Sequence, residues 1–204
     1  MQIVYESGTI LSMAFEAYAA RTHEKMKEVL MDPNASGPAI HYYMIRGGSD
    51  KRNITVWEAG TVGGEYIKTY GHYHVDELDE TYWVLAGEGI ILQQKLVDPK
   101  VPDVVEFFKA IPVKAGDSVY MPPNVGHLAV NTGKTWFVTA DDSPVAGTGD
   151  SASMPVHADY EAVKKMQGFA YYVVEKDGKP SLVPNKKYKE VREKDFDGLT
   201  LKDL

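Results

Sequence analysis

Two hydrophobic patterns divide the chain. In residues 13–31, apolar side chains recur at intervals of three and four, which predicts an amphipathic helix with Ser12 as its N-cap. From about residue 39 to 140, short runs rich in Val, Ile, Tyr, Trp and Thr are separated by Gly, Pro, Asn and Asp. This spacing is typical of many short strands, and it predicts an all-β sandwich or barrel with an added N-terminal helix.

The individual elements follow from the same pattern. Strands are expected at residues 40–45, 53–58, 65–69, 81–86, 89–95, 104–111, 118–121, 128–131 and 135–139. Further predicted elements are a strand with a turn within 1–11, a loop over 141–156, a short helix at 161–166, a hairpin formed by 171–175 and 181–184, and a charged surface tail after residue 185. Asp177-Gly178 suits the type I′ turn of that hairpin.

Composition and charge narrow the function. A length of 204 residues fits one domain over 1–204 with a sizeable core. The net charge of −7 argues against a nucleic-acid groove. Without Cys, disulfides, thiolate-bound zinc and thiol nucleophiles are excluded. The N-terminus lacks the pattern of a signal peptide and no apolar run could cross a bilayer, so we expect a cytoplasmic protein without membrane contact.

Two short motifs carry the candidate chemistry. His72 and His74 alternate with Tyr73 and therefore point to one face of a strand. Glu80 adds a carboxylate from the next strand, and His127 adds a third imidazole from a distant one. Three His and one Glu suit Fe, Mn, Ni, Zn or Cu, and so predict one divalent metal ion per chain.

These motifs resemble those of the cupin superfamily. The spacings from Glu80 to Gly87, from Gly116 to Pro122 and from His127 to Asn131 fit the cupin pattern. The departures are Tyr66 and Asn124 in place of motif glycines, and five rather than four residues between His74 and Glu80. Asn tolerates positive φ, so Asn124 suits the turn before His127.

A narrower resemblance, over roughly residues 39–185, is to the cupin-type glucose-6-phosphate isomerases. It is carried by the 69–74 run, Glu80-Thr81-Tyr82, Gly87-Glu88-Gly89, Leu92-Gln93-Gln94 and 119–123. The resemblance implies a cupin β-barrel with a core at 39–185, a homodimer, a metal ion (iron first, then Mn, Ni or Zn) and interconversion of glucose 6-phosphate and fructose 6-phosphate. It assigns further site residues as follows: the phosphate to Thr55, Thr69 and Gly71, a position near the sugar to Tyr82, and catalytic roles to Tyr82 and His157. Tyr43 is a further candidate for substrate binding. Where the family has another tyrosine, this chain has Asp141-Asp142.

The chemistry leaves alternatives open. Aldose–ketose isomerisation moves a hydrogen between C1 and C2, and a carboxylate beside the metal, Glu80, can carry it as a proton. A metal-assisted hydride shift would instead leave Glu80 only as a ligand. The same four ligands also suit a cupin dioxygenase or a cupin that binds sugar without converting it. The neutral donors Thr55, Thr69 and Gly71 favour the isomerase, because a dioxygenase has little use for a phosphate site. His23 and His41 are interpreted as structural or surface residues.

Overall fold

The fold is seen in a computed structural model of the protein, which describes residues 2–4, 10–12, 18–45, 53–144 and 158–201. The elements in chain order are β1 (Gln2–Val4), β2 (Ile10–Ser12), β3 (Tyr18–Thr22), α1 (His23–Met26), β4 (Ile40–Ile45), β5 (Asn53–Trp57), β6 (Thr61–Val62), β7 (Glu65–Tyr66), β8 (Tyr73–His74), β9 (Glu80–Ala86), β10 (Glu88–Leu96), β11 (Val104–Lys114), β12 (Ser118–Met121), β13 (Gly126–Asn131), β14 (Phe137–Asp141), β15 (Ala158–Asp159), α2 (Glu161–Lys165), β16 (Tyr171–Lys176), β17 (Lys179–Pro184), β18 (Glu190–Asp195) and β19 (Thr200–Leu201). The prediction of a mainly β protein is confirmed.

A six-stranded sheet is the first of two sheets that flank the predicted metal ligands. Its strand order is β12-β9-β14-β5-β4-β3, so strands far apart in the chain lie side by side. The apolar face of this sheet includes Trp57 and Phe137, which are fully buried and pack edge to face at 4.7 Å between ring centroids. Cross-strand pairs share a face, so Thr55, which pairs with Thr139, lies on the Trp57 face.

A four-stranded sheet, β13-β10-β11-β18, lies opposite. Side chains join the two inner faces: the Gln93 amide donates to the carbonyl oxygen of Tyr120 at 2.7 Å, and the Asn131 amide donates to that of Trp57 at 3.2 Å. The second sheet also presents Leu128 and Phe108 to a core shared with Phe169. The site is therefore enclosed between two sheets rather than on the surface of one.

The N-terminal helix prediction is wrong in length and position. The described helix α1 covers only four residues, and the preceding β3 is a strand paired with β4. Ser12 ends β2 instead of capping a helix; the cap of α1 is Thr22, whose hydroxyl accepts from the amide of Lys25 at 3.3 Å. Residues 13–17 lie outside the described residues. Because pairing with β4 satisfies the backbone of residues 18–22, tertiary contacts override the local period.

The turns behave as their residues predict. Asn124 has φ +62° in the turn before β13, and the hairpin turn has φ +54° at Asp177 and +73° at Gly178, as a type I′ turn requires. The charged tail is mostly exposed, as expected, but it also forms β18 and β19, which pair in parallel with β11 and β17. The two helices in the described part of the chain have four and five residues, far fewer than a bilayer span needs.

Candidate metal centre

Four residues predicted as metal ligands converge between the two sheets: His72, His74, Glu80 and His127, called here the ligand cluster. His74 ends β8 and Glu80 begins β9, whereas His127 lies on β13. His72 is held against His127 by two backbone hydrogen bonds, of 3.2 and 3.0 Å. Strand pairing between distant parts of the chain thus assembles the cluster.

The ligand atoms lie close together. All four are within 4.8 Å of one another. Glu80 Oε2 lies 3.2 Å from His74 Nε2 and 3.1 Å from His127 Nε2, and these two nitrogens are 3.2 Å apart. Such separations are expected for ligand atoms about 2.1 Å from a shared ion. His74, Glu80 and His127 are at most 5 % exposed, so three of the four ligands are shielded from water, whereas His72 is partly buried.

The local electrostatics favour ligation. Burial alone would raise the pKa of Glu80, but the imidazoles of His127, His74 and His72 outweigh burial and hold this pKa well below its usual value. Glu80 is therefore a carboxylate at neutral pH. His74 Nδ1 lies 3.0 Å from the carbonyl oxygen of Leu78, which only accepts, so Nδ1 carries a hydrogen and Nε2 is the ring nitrogen left to ligate an ion. These residues fit a divalent ion.

Tyr82 borders the ligand cluster. It lies two residues after Glu80 on the same face of β9, and its ring meets that of His127 edge to face at 5.1 Å between centroids. Asp141 is its cross-strand partner. The structure thus brings Tyr82 next to the metal-ligand candidate His127, while its contact with the sugar stays a prediction.

The predicted phosphate residues lie on two segments of the chain. Thr55 faces the interior from β5, two strands from β9. Thr69 forms two hydrogen bonds with Ala129 of β13. Its amide donates to the Ala129 carbonyl oxygen at 2.8 Å, and its hydroxyl accepts from the Ala129 amide at 3.0 Å. That hydroxyl keeps its own hydrogen for donation.

Gly71 requires glycine on two grounds. Its φ is +82°, and a Cβ there would lie 3.2 Å from Leu128 and from Phe169. The backbone just before His72 therefore follows a path that other residues rarely adopt.

One predicted site residue, Tyr43, is not brought to the ligand cluster, and another lies outside the described residues. Tyr43 pairs with Val56, while its neighbours Tyr42 and Met44 pair with Trp57 and Thr55. Because side chains alternate along β4, Tyr43 faces away from the interior, and this placement gives no support to a sugar contact. The other residue, His157, lies outside the described residues.

Several residues near the cluster were missed by the sequence interpretation. The ring of Tyr160 lies 5.5 Å from that of His72 and 5.5 Å from that of Tyr70. Arg21 is buried on β3, where a helix had been predicted, so its pattern gave no sign of an inward position.

Asp141 was noted only as replacing a family tyrosine. The structure buries it, with one carboxylate oxygen accepting from the Asn53 amide at 2.6 Å and from the Ser143 hydroxyl at 2.7 Å. These bonds fix the end of β14 beside β5. The buried carboxylate of Asp141 thus holds Ser143, two residues after it, in place.

Comparison with known proteins gives one family. Residues 13–191 match the family model described as "Glucose-6-phosphate isomerase (GPI)". The chain is 34% identical over 136 residues to a glucose-6-phosphate isomerase of Thermococcus onnurineus, which covers 66% of this chain and 62% of that protein. It is 32% identical over 139 residues to the Pyrococcus furiosus protein of the same name, which covers 67% and 63% respectively. The matches thus span less than two thirds of these relatives' length.

Solved structures overlap only in part. The Drosophila melanogaster CENP-C cupin domain is 11% identical, with a TM-score of 0.37 over 56% of this chain and 79% of that domain. An oxalate oxidase in complex with glycolate is 19% identical, with a TM-score of 0.34 over 44% and 39%. Overlaps of this extent do not indicate a shared function.

Proposed function

Because the chain belongs to the glucose-6-phosphate isomerase family, we propose that it interconverts glucose 6-phosphate and fructose 6-phosphate with the help of one divalent metal ion. The observation that carries the proposal is the convergence of His72, His74, Glu80 and His127 within 4.8 Å, with all but His72 buried. The named activity of its relatives supplies the reaction. Iron is the ion we infer, on the resemblance, while Mn, Ni and Zn also suit this ligand set.

The ligand cluster has the features that the chemistry needs. When bound, a divalent ion supplies Lewis-acid polarisation of the oxygens on C1 and C2 of the open-chain sugar. Glu80 is the carboxylate nearest to that position and can take up a proton from one carbon and return it to the other. Burial of the cluster keeps bulk water from the reacting carbons.

The remaining residues bind and orient the substrate. Tyr82, whose ring meets that of His127 edge to face, borders the sugar, and the hydroxyls of Thr55 and Thr69 with the backbone of Gly71 bind the phosphate. We also infer a catalytic role for His157 from the resemblance. Neutral donors are sufficient for phosphate binding when several converge.

A coupled assay tests the function. Fructose 6-phosphate is offered to the purified protein, and glucose 6-phosphate is followed before and after chelation and after return of Fe²⁺ or Mn²⁺. We expect turnover that chelation abolishes and a divalent ion restores. A protein that binds the sugar phosphate without turnover in every metal form would instead be a binding cupin.

The role of Glu80 is tested in D₂O. Deuterium at C2 of the glucose 6-phosphate product supports proton transfer by Glu80, because a proton held on a carboxylate exchanges with solvent. Glu80→Gln keeps a ligand oxygen but removes the base. A variant that retains its metal and near-normal turnover would reduce Glu80 to a ligand and favour the hydride shift.

We further infer a cytoplasmic homodimer whose chain 1–204 is one domain. The outer face of the six-stranded sheet supports an interface, because Leu85 and Tyr120 are 51% and 53% exposed there. Pairing of β18 and β19 with β11 and β17 supports a single domain. Sedimentation showing a monomer at micromolar concentration would rule out the dimer.

A further inference from the structure

A buried arginine lies on the interior side of the site. Arg21 pairs with Tyr42 across β3 and β4 and is 7% exposed. Its Nε donates to the Tyr42 hydroxyl oxygen at 3.0 Å, and its guanidinium carbon lies 5.9 Å from the ring centroid of Tyr70. A guanidinium keeps its charge in any protein environment, so a cation is placed inside the fold.

A single hydroxyl connects Arg21 to the proposed phosphate residues. The Tyr42 oxygen that accepts from Arg21 also accepts from the backbone amide of Tyr70 at 3.3 Å. Tyr70 lies between Thr69 and Gly71 in the chain. The guanidinium is therefore held beside the segment that supplies two of the three proposed phosphate donors.

Two aromatic rings lead from this arginine to the ligand cluster. The Tyr70 ring lies 5.9 Å from the guanidinium carbon, and the Tyr160 ring lies 5.5 Å from that of Tyr70 and 5.5 Å from that of His72. A substrate with its carbonyl end at His72 and its phosphate near Gly71 would extend along this aromatic pair. Arg21 lies at the phosphate end of that path.

We propose that Arg21 binds the phosphate of the substrate, together with the neutral donors Thr55, Thr69 and Gly71. This proposal rests on the proposed isomerase function. A protein with a net charge of −7 repels a dianion, and a local cation in the site reverses that repulsion. The planar guanidinium presents paired N–H donors that match phosphate oxygens, which Lys does not.

The test compares two cations on the same tyrosine ring. Lys25 Nζ lies 5.5 Å from the Tyr70 centroid, but its side chain is 38% exposed and pairs with Glu28 at 2.7 Å. Arg21→Met and the control Lys25→Met are compared by titration with inorganic phosphate, 5-phosphoarabinonate and unphosphorylated arabinonate. Metal content and melting temperature are measured for each variant.

For Arg21→Met we expect at least about tenfold weaker binding of inorganic phosphate and 5-phosphoarabinonate, because a charged hydrogen bond is lost. The affinity for arabinonate should not change. Arg21→Lys should recover only part of the affinity. A structural role alone would weaken arabinonate and 5-phosphoarabinonate equally, and that result overturns the assignment. So does phosphate affinity equal to that of Lys25→Met.

The outcomes separate this proposal from the isomerase proposal. A protein that turns over fructose 6-phosphate, with unchanged phosphate affinity in Arg21→Met, refutes only the role of Arg21. Phosphate binding that depends on Arg21 without any turnover refutes only the isomerase. A wild-type protein that binds no phosphate-bearing ligand refutes both.

Discussion

The structure buries two clusters of ionisable side chains that look alike in composition and differ in arrangement. The ligand cluster combines three His with Glu80. A second buried cluster combines His23 and His41 with the ion pair of Glu65 and Lys68. Among the residues that the structure describes, potential ligand atoms converge in the first cluster and not in the second.

In the second buried cluster, three of the four side chains bind backbone groups. Lys68 Nζ donates to the carbonyl oxygen of Val29 at 2.8 Å, Glu65 accepts from the amide of Met31 at 2.7 Å, and His23 Nε2 lies 3.1 Å from the carbonyl oxygen of Ala35. These bonds fasten residues 29–35, which follow α1, to the sheets. Polar groups that each have a backbone partner stabilise a fold, whereas groups that converge on one point can bind an ion.

The largest expected effect is at the ligand cluster. In His127→Ala the metal affinity should fall by more than about 10- to 100-fold. That range is typical of removing a residue that only hydrogen-bonds to a ligand, whereas here a direct ligand is lost. Turnover should fall with it. Metal analysis and the isomerase assay check this, with His41→Gln as the matched control that keeps its metal. Full occupancy in His127→Ala would remove the distinction between the clusters.

The second buried cluster should control stability instead. Lys68→Met leaves the Glu65 charge buried and uncompensated, and the expected loss is about 3–5 kcal/mol of unfolding free energy. Urea denaturation measures it. Adding Glu65→Gln should recover part of the loss, since no charge then remains. Loss of metal from the folded Lys68→Met protein would show that the two clusters are not independent.

Acid should destabilise the fold through His41. The carbonyl oxygen of Ala35 only accepts, so His23 Nε2 carries a hydrogen and His23 Nδ1 accepts from His41 Nε2 at 2.9 Å. His41 Nδ1 is then an unprotonated, buried nitrogen without a hydrogen-bond partner among the described residues. Burial first, then His23 and Lys68, lower the pKa of His41 to about 4.

The unfolded chain binds this proton at a pKa of about 6.5, so the stabilisation is complete above that pH and is lost as the pH falls towards 4. The loss is of the order of 3 kcal/mol. His41→Gln keeps a donor for His23 without titrating, so its unfolding free energy should depend less on pH in this window. Parallel pH profiles for both proteins would contradict the interpretation.

The smallest expected effect is at Thr69, where a structural residue and a substrate-binding residue are neighbours in the chain. Thr69 follows Lys68, yet we assign it to the substrate. Thr69→Val should cost about 1.5–3 kcal/mol of sugar-phosphate binding, seen as a higher KM, with metal retained. Thr69→Ser keeps the hydroxyl and should bind nearly as wild type. Equal KM values for Val and Ser would place Thr69 with the purely structural residues.

The sequence was sufficient to predict the metal ligands but not the positions of Arg21 and Tyr160, and the reason is physical. The spacing of His72, His74 and Glu80 follows from strand alternation and a short turn, so these ligands could be identified locally. His127 was identified from the spacing of the second cupin-like motif. The position of Arg21 depends on pairing between β3 and β4, and the apolar period of 13–31 pointed to a helix instead. The inward face of Arg21 and the contact of Tyr160 with His72 arise from long-range packing, which no local pattern encodes.

One measurement tests the central claim, that the ligand cluster is a metal-dependent isomerase site. Chelated wild-type protein is titrated with Fe²⁺ or Mn²⁺, and bound metal and the rate of glucose 6-phosphate formation are recorded together. We expect the rate of glucose 6-phosphate formation to rise in proportion to bound metal and to reach its plateau at one ion per chain. Full activity in metal-free protein, or an ion bound at that stoichiometry without any turnover, would contradict it.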